Sequence, residues 1–256
     1  MNKKPRILFF DIETTPLKAW IWRPGKQYVG YSQLTKENAQ YGIICITYCW
    51  NDGKKAQCID WGYEEQSTKK VVEEFDKIIA QADICIGKNS DRFDTKMINA
   101  ARMFAGLPGN PSWTKYTDDL EKQMRKYFKM PSQSLDYIST QLGFGGKIKM
   151  EMQDWIDIVE KTDNGCKSLA KMVKYGKKDV EDTRALWGRL SEHFDSKWNQ
   201  ATFLGVDLAC KHANCGSFDL IKRGTYFQGK SRYQEWQCKT CCRYAGRTLI
   251  NGGKIG

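Results

Sequence analysis

Three apolar runs of strand length come one after another near the start of this chain, and only afterwards do strand-like and helix-like patterns alternate. Arg6–Asp11 is apolar and bounded by charge, and Ile43–Trp50 and Ala56–Trp61 flank Asn51-Asp52-Gly53. Asp-Gly between apolar runs is a strong hairpin signal. From about Gln66 to Ala82, Val71, Val72, Phe75, Ile78 and Ile79 recur at helical spacing. Ile84–Gly87 predicts a fourth strand, Asp94–Phe104 a helix stopped by Gly106 and Pro108, and Trp113–Asp118 a fifth strand. Short helices are expected over Leu120–Tyr127 and Leu135–Leu142, and a long one from about Lys177 to Phe194. Strands in succession and then strands alternating with helices predict a mixed five-stranded α/β sheet, flanked by helices, with the first strand near its middle. Trp20–Gly30, rich in Trp, Pro and Gly, reads as a loop.

The chain has 256 residues, 41% of them hydrophobic, enough for one large domain and a small one. The pattern changes around Thr202–Leu208, which divides the chain into 1–200 and 207–256. The net charge of +11 favours polyanionic partners. Residues 201–256 hold nine Lys and Arg against three Asp and Glu, so +6 of that charge sits on the tail. No run approaches the ~20 apolar residues that span a membrane. The apolar run Ile7–Phe10 ends at once in Asp11, too short for a secretory signal, so a reducing cytoplasm is expected. In such a compartment clustered cysteines point to metal rather than to disulfides.

Asp11 and Glu13 close the first strand two residues apart, and in an extended chain such residues face one side. The carboxyl ends of strands in an open α/β sheet are where ligands usually bind. Asp94 follows the fourth strand at the mouth of a helix, where by itself it reads as an N-cap. Tyr175 and Asp179 are four apart, on one face if both are helical. Hard oxygen ligands of this kind suit Mg²⁺ or Mn²⁺.

Taken in order, these pieces resemble the three motifs of the DnaQ-like (RNase H-like) 3′→5′ exonucleases of the DEDD group. Asp11-Ile12-Glu13-Thr14-Thr15-Pro16 is similar to the first motif, Asn89 with Phe93-Asp94 to the second, and Tyr175 with Asp179-Val180, Thr183 and Leu186 to the third. The resemblance spans residues 5–195. A histidine five residues before the last Asp would mark the other subclass, and Lys174 stands there, so the pattern is the DEDDy one. It implies an RNase H-like fold and hydrolysis at a 3′ end with two Mg²⁺ or Mn²⁺ ions. Asp11 would bridge the ions, with Glu13 and Asp179 on the water-activating one and Asp94 on the other. Tyr175 would orient the attacking water. Thr14 would meet the terminal nucleotide, Leu17 would wedge between the last two bases, and Asn89 and Phe93 would lie beside the substrate. Asp91, Asp118, Asp119 and Asp182 are expected to be surface or capping groups. Gln133-Ser134-Leu135-Asp136-Tyr137, Leu142-Gly143 and Gly146-Lys147 resemble segments of small phage and bacterial members, which favours DNA over RNA.

In the tail, Cys215 and the pair Cys238 and Cys241 make three soft ligands, and either Cys210 or His212 completes a tetrahedral Zn²⁺ site. A tail of about fifty residues needs such a staple to fold. The segment from Cys215 to Cys241 resembles the zinc ribbons of transposase-associated DNA-binding proteins, in which the first ligand sits where His212 is. Lys222, Arg223 and Arg232 interleave with Tyr226, Phe227, Tyr233 and Trp236, the pairing of cations and rings used to grip single strands.

The expected function is therefore a free-standing exonuclease acting on single-stranded DNA 3′ ends, with RNA open as a substrate. A proofreading role would need a replication or repair partner protein. The alternatives are a catalytically silent RNase H-like body with a DNA-binding ribbon, and an RNA-trimming enzyme.

Overall fold

The structure, a computed structural model, describes residues 5–35, 40–109, 116–145, 148–194, 203, 208–210, 212 and 215–250. The expected starts of the fifth strand at Trp113 and of the tail around Thr202, and Gly146-Lys147, fall outside the described residues. The chain divides into two compact units, Arg6–Arg125 with Met130–Ala185, and Met1–Pro5 with Lys126–Lys129 and Leu186–Gly256.

In the first unit, β1 (Ile7–Thr14) lies at the centre of a five-stranded sheet. It runs antiparallel to β2 (Ile43–Trp50), which pairs antiparallel with β3 (Gln57–Asp60). On its other side β1 runs parallel to β4 (Ile84–Gly87), and β4 parallel to β5 (Thr117–Asp119). The order β3-β2-β1-β4-β5 is the mixed sheet expected from the sequence.

The hairpin at Asn51–Gly53 forms, with Gly53 at φ +83°, a backbone that a side chain would strain. Helix α1 (Thr68–Ile79) starts at Ser67, whose hydroxyl accepts from the Lys70 N–H at 3.3 Å. It buries Val71, Val72, Phe75 and Ile79 in the cluster that contains Leu8, Phe10 and Ile12 of β1. Leu8, Phe10 and Ile12 take one face of β1, so the alternation of an extended chain gives Asp11 and Glu13 to the other.

Helix α2 (Asp94–Phe104), α3 (Leu120–Tyr127) and α4 (Leu135–Gln141) fall where the sequence predicts them. Two elements differ from expectation. Helix α5 (Met152–Glu160) was not predicted, and α6 (Gly165–Leu190) begins twelve residues before Lys177. Leu169, Met172, Gly176, Val180, Thr183 and Trp187 are among its buried residues, at three- and four-residue steps.

The second unit has two small apolar assemblies. Phe194 is buried among Tyr127, Phe128 and Trp187, with ring centroids 5.8, 6.2 and 5.8 Å away. Beyond it, β6 (Leu220–Gln228), β7 (Ser231–Cys238) and β8 (Tyr244–Leu249) form an antiparallel three-stranded sheet. Its core is Cys210, Cys238 and Ala245, with Cys215, Leu220, Trp236 and Cys241 packed on them. Among the described residues no helix is long and apolar enough to cross a membrane.

Candidate active site and metal centre

The acids meet because of how the sheet ends. The β1–β4 ladder stops at Phe9↔Ile86, so the Ile12 N–H lies beyond the last strand partner on that side. The chain turns back directly after β4. A Cβ at Gly87 would lie 2.5 Å from Ser90 Cβ, and Asn89 adopts φ +62°, a left-handed conformation Asn tolerates better than most residues. Asp119 clamps this turn, since its carboxylate accepts from the N–H groups of Asn89 at 3.0 Å and Asp91 at 3.2 Å. The next helix then opens on Asp94, and the Asp94 carboxylate accepts from the Ile12 N–H at 3.1 Å.

Asp94 is therefore not an N-cap. Phe93 occupies the cap position with no side-chain bond, and the Asp94 carboxylate turns to the orphaned backbone of β1. Asp118 and Asp182 depart from the surface or capping role expected for them: both are buried, Asp118 bonded to Gln123 and Asp182 paired with Lys178. Asp119 is buried too but does cap a helix, since besides clamping the turn its carboxylate accepts from the Glu121 N–H at 2.9 Å at the start of α3. The sequence signal for Asp119 was its place at the end of a strand next to β4.

On the other side, α6 approaches β2 closely. A Cβ at Gly176 would lie 2.7 Å from Thr47 Cγ2, and Thr47 is the β2 partner of Asp11. The helix thereby carries Tyr175 and Asp179, both within it and one turn apart, to the level of the β1 acids. A register shift between Glu13 and Thr14 bends β1 there, a feature common beside functional sites.

Electrostatics confirm that these groups feel one another. Burial pushes the Asp11 carboxyl well above its ordinary range, and the charges of Asp94, Glu13 and Asp179 push it further, against a weaker pull from Lys88. Asp94 is raised to about 7, first by burial and then by Asp119, although its own N–H and that of Ile12 oppose the shift. Burial and the charges of Asp179 and Glu13 raise the Tyr175 hydroxyl, which also hydrogen-bonds Asp179. A tyrosine held protonated can donate a hydrogen bond but is no base at neutral pH. A buried carboxyl raised by three neighbouring carboxylates fits a divalent cation of hard, oxygen-seeking character. Thr14 and Leu17 continue β1 beyond the acids, and Phe93 is exposed next to Asp94.

The other cluster is tighter. Sγ atoms of Cys210, Cys215, Cys238 and Cys241 all lie within 4.8 Å of one another, the one group of three or more His, Cys, Asp or Glu ligand atoms so close among the described residues. The acids stand wider than that, as mutually repelling charges do. Cys210 Sγ is 3.5 Å from Cys241 Sγ, and Cys215 Sγ 3.6 Å from Cys238 Sγ. Four thiols at these separations can hold a zinc ion.

The cluster includes Cys210 and leaves out His212, where the resemblance put the first ligand. The His212 carbonyl accepts from the Cys215 N–H at 2.9 Å, and its ring Nδ1 faces the Phe194 carbonyl at 3.4 Å, outside the cysteine group. Burial of Cys238 works against its ionisation, yet the N–H groups of Cys241 and Thr240 and the Cys215 thiol outweigh it and bring Cys238 down to about 7. Cys242 stands outside the group, exposed. Lys222, Arg223 and Arg232 are exposed on β6 and β7, and Arg247 lies 3.5 Å over the Tyr226 ring, a contact the sequence reading did not include.

No protein-family model matches the chain, and no curated protein does. Among solved structures it is similar to a family B DNA polymerase from the hyperthermophilic archaeon Pyrobaculum calidifontis, with a TM-score of 0.56 and 12% identity. The match covers 91% of this chain and 32% of the polymerase, so the chain spans about a third of that protein's length. At such identity the likeness is one of fold. Together with the strand order it gives the class: a mixed five-stranded α/β sheet flanked by helices, with a C-terminal four-cysteine cluster compatible with a zinc ribbon.

Proposed function

We propose that this protein is a 3′→5′ exonuclease of the DEDDy type that hydrolyses phosphodiester bonds at single-stranded 3′ ends, DNA in preference to RNA, and releases nucleoside monophosphates. One observation carries the reading: Asp11, Glu13, Asp94 and Asp179, from three separate elements, couple electrostatically at one end of the central strand. Likeness of fold to a DNA polymerase supports nucleic acid as the substrate class.

Asp11, Glu13, Asp94 and Asp179 would hold two Mg²⁺ or Mn²⁺ ions, which supply a polarised water and charge stabilisation for the departing 3′ oxygen. Tyr175, protonated and donating to Asp179, would present its oxygen to the attacking water, accept a hydrogen bond from it and so fix its direction. Thr14, the last residue of β1, and Leu17, three residues beyond it, meet the terminal nucleotide and the base step before it, with Asn89 and Phe93 beside the substrate. Residues 1–200 form the exonuclease domain. Residues 207–256 form a ribbon held by one structural Zn²⁺ on Cys210, Cys215, Cys238 and Cys241. There Lys222, Arg223 and Arg232 contact the strand, and a replication or repair protein is the fitting partner.

A 3′-labelled single-stranded oligonucleotide with Mg²⁺ tests this. The wild type should release labelled mononucleotide, and Asp11→Asn and Asp179→Asn should each lose roughly three orders of magnitude in rate, the several kcal/mol that metal-centred charge stabilisation supplies. Undiminished release by either variant overturns the assignment.

A further inference from the structure

The loop between β1 and β2 carries an unusual set of side chains for a surface segment. Trp20 is 79% exposed, Trp22 100%, Tyr28 91% and Tyr31 78%, and Ile21 and Val29 are also exposed. Large exposed apolar groups this close together mark an interaction site. Arg23 and Lys26 lie among them, and there is no acid between Glu13 and Glu37.

The loop is a built one. Ala19 bridges to Leu34, the Trp20 N–H donates to the Gln33 carbonyl at 2.8 Å, and the Thr35 N–H donates to that of Lys18 at 3.1 Å, which closes its base. Within it, Gln27 Nε2 donates to the Arg23 carbonyl at 2.7 Å, the Gly30 N–H to Gln33 Oε1 at 2.8 Å, and Gln33 Nε2 to the Trp20 carbonyl at 3.2 Å. These bonds hold the loop together while the rings stay exposed.

It is also joined to the end of β1. Three hollows follow one another along the chain from the end of β1. The first, ≈ 300 Å³, is lined by Thr14, Pro16, Met152 and Trp155, and the second, ≈ 370 Å³, by Leu17, Met152 and Ile156. The third, ≈ 800 Å³, reaches Lys18 and Trp20. Pro16 is shared by the first two and Lys18 by the last two, so a furrow beside α5 leads from the neighbour of Glu13 to the aromatic loop.

We propose that residues 20–31 form a stacking platform for single-stranded nucleic acid, gripping the bases several nucleotides upstream of the 3′ end. Rings take bases of any sequence, and Arg23 and Lys26 take the intervening phosphates. The direction of the strand rests on the exonuclease reading, and binding to the loop does not.

The test measures the two separately. Full-length wild type and a Trp20→Ala/Trp22→Ala/Tyr28→Ala variant are titrated in calcium with 5′-fluorescein oligothymidylates of 4 and 16 nucleotides, their 3′ linkages phosphorothioate. Anisotropy should show the 16-mer bound at least tenfold more weakly by the variant and the 4-mer within twofold, because the 4-mer ends before the loop. The deficit should persist in 0.3 M NaCl, since stacking is not screened, whereas that of Arg23→Ala/Lys26→Ala should shrink. The single variant Trp22→Ala, at a fully exposed site, should lose several-fold with an unchanged melting temperature. Equal 16-mer affinity in both the triple and the single variant overturns the proposal and leaves a protein as the platform's partner. Mononucleotide release from unmodified oligothymidylate in Mg²⁺ is read on wild type alone. Its absence would sink the exonuclease reading, and a 16-mer deficit would still support the platform.

Discussion

The two sheets of this molecule keep their clusters together by opposite means. In the five-stranded sheet β2 is buried over Ile43–Cys49, and helices cover the strands with Val71, Phe75, Ile98 and Met172. That sheet brings Glu13, Asp94 and Asp179 close enough to Asp11 for their charges to raise its carboxyl. In the three-stranded sheet seven of the nine residues of β6 are exposed, and the core amounts to Cys210, Cys238 and Ala245. There the would-be ligands are themselves the interior. A cation at the acids would relieve a structure that stands without it, whereas a cation at the thiols would be most of what makes the structure.

Stripping zinc sharpens that contrast most. With a zinc-selective chelator, or in Cys238→Ser, the tail should lose its protection from proteolysis between 208 and 250, because binding a structural zinc supplies about 10 kcal/mol or more to a unit with little else. The melting of the acid-bearing unit should not change. A tail that stays protected without zinc would break the comparison.

A smaller effect concerns pH at the acids. Asp94 is raised to about 7 when folded, so between roughly pH 4 and 7 the folded chain binds more protons than the unfolded one. Stability without divalent ions is therefore full below the unfolded value near 4 and declines as pH rises toward 7, by an amount on the order of a few kcal/mol. Calorimetric melts across that window should show the decline in wild type and a flatter profile in Asp94→Asn. A wild-type melting temperature that rises from pH 4 to 7 would contradict the coupling. Mg²⁺ at pH 7 should recover part of the loss.

The smallest effect belongs to the ribbon face. Lys222→Ala/Arg223→Ala should weaken strand binding several-fold at 0.1 M salt and lower the slope of log Kd against log salt by about 1.4, two phosphate contacts' worth for a single strand. An unchanged slope would mean that this face does not meet phosphate.

Much of this was readable in the residues. The apolar run ending in Asp11, the Asp-Gly hairpin and the helix over Thr68–Ile79 obey local rules, so periodicity sufficed for them. Asp94 was chosen by motif order, but its contact was invisible, because the Ile12 N–H it serves is orphaned only when the pairing with β4 ends at Phe9, three residues earlier. Helix α5 was missed since Glu151–Glu160 mixes four acids with its apolar residues, and the start of α6 was hidden by the lysines and glycines before Lys177. Spacing admitted both Cys210 and His212, and only the structure sets the Cys210 thiol with the other three, while the His212 carbonyl accepts from the Cys215 N–H.

Gly176 carries a consequence of its own. Because no atom can be added there without meeting Thr47, the gap between helix and sheet is set by a side chain that does not exist. Residues 175 and 179 ride on that helix, so the calibre of the acidic mouth is fixed by a hydrogen atom one residue away from the chemistry. Selection on reach and aperture can work at this position and leave the acids untouched.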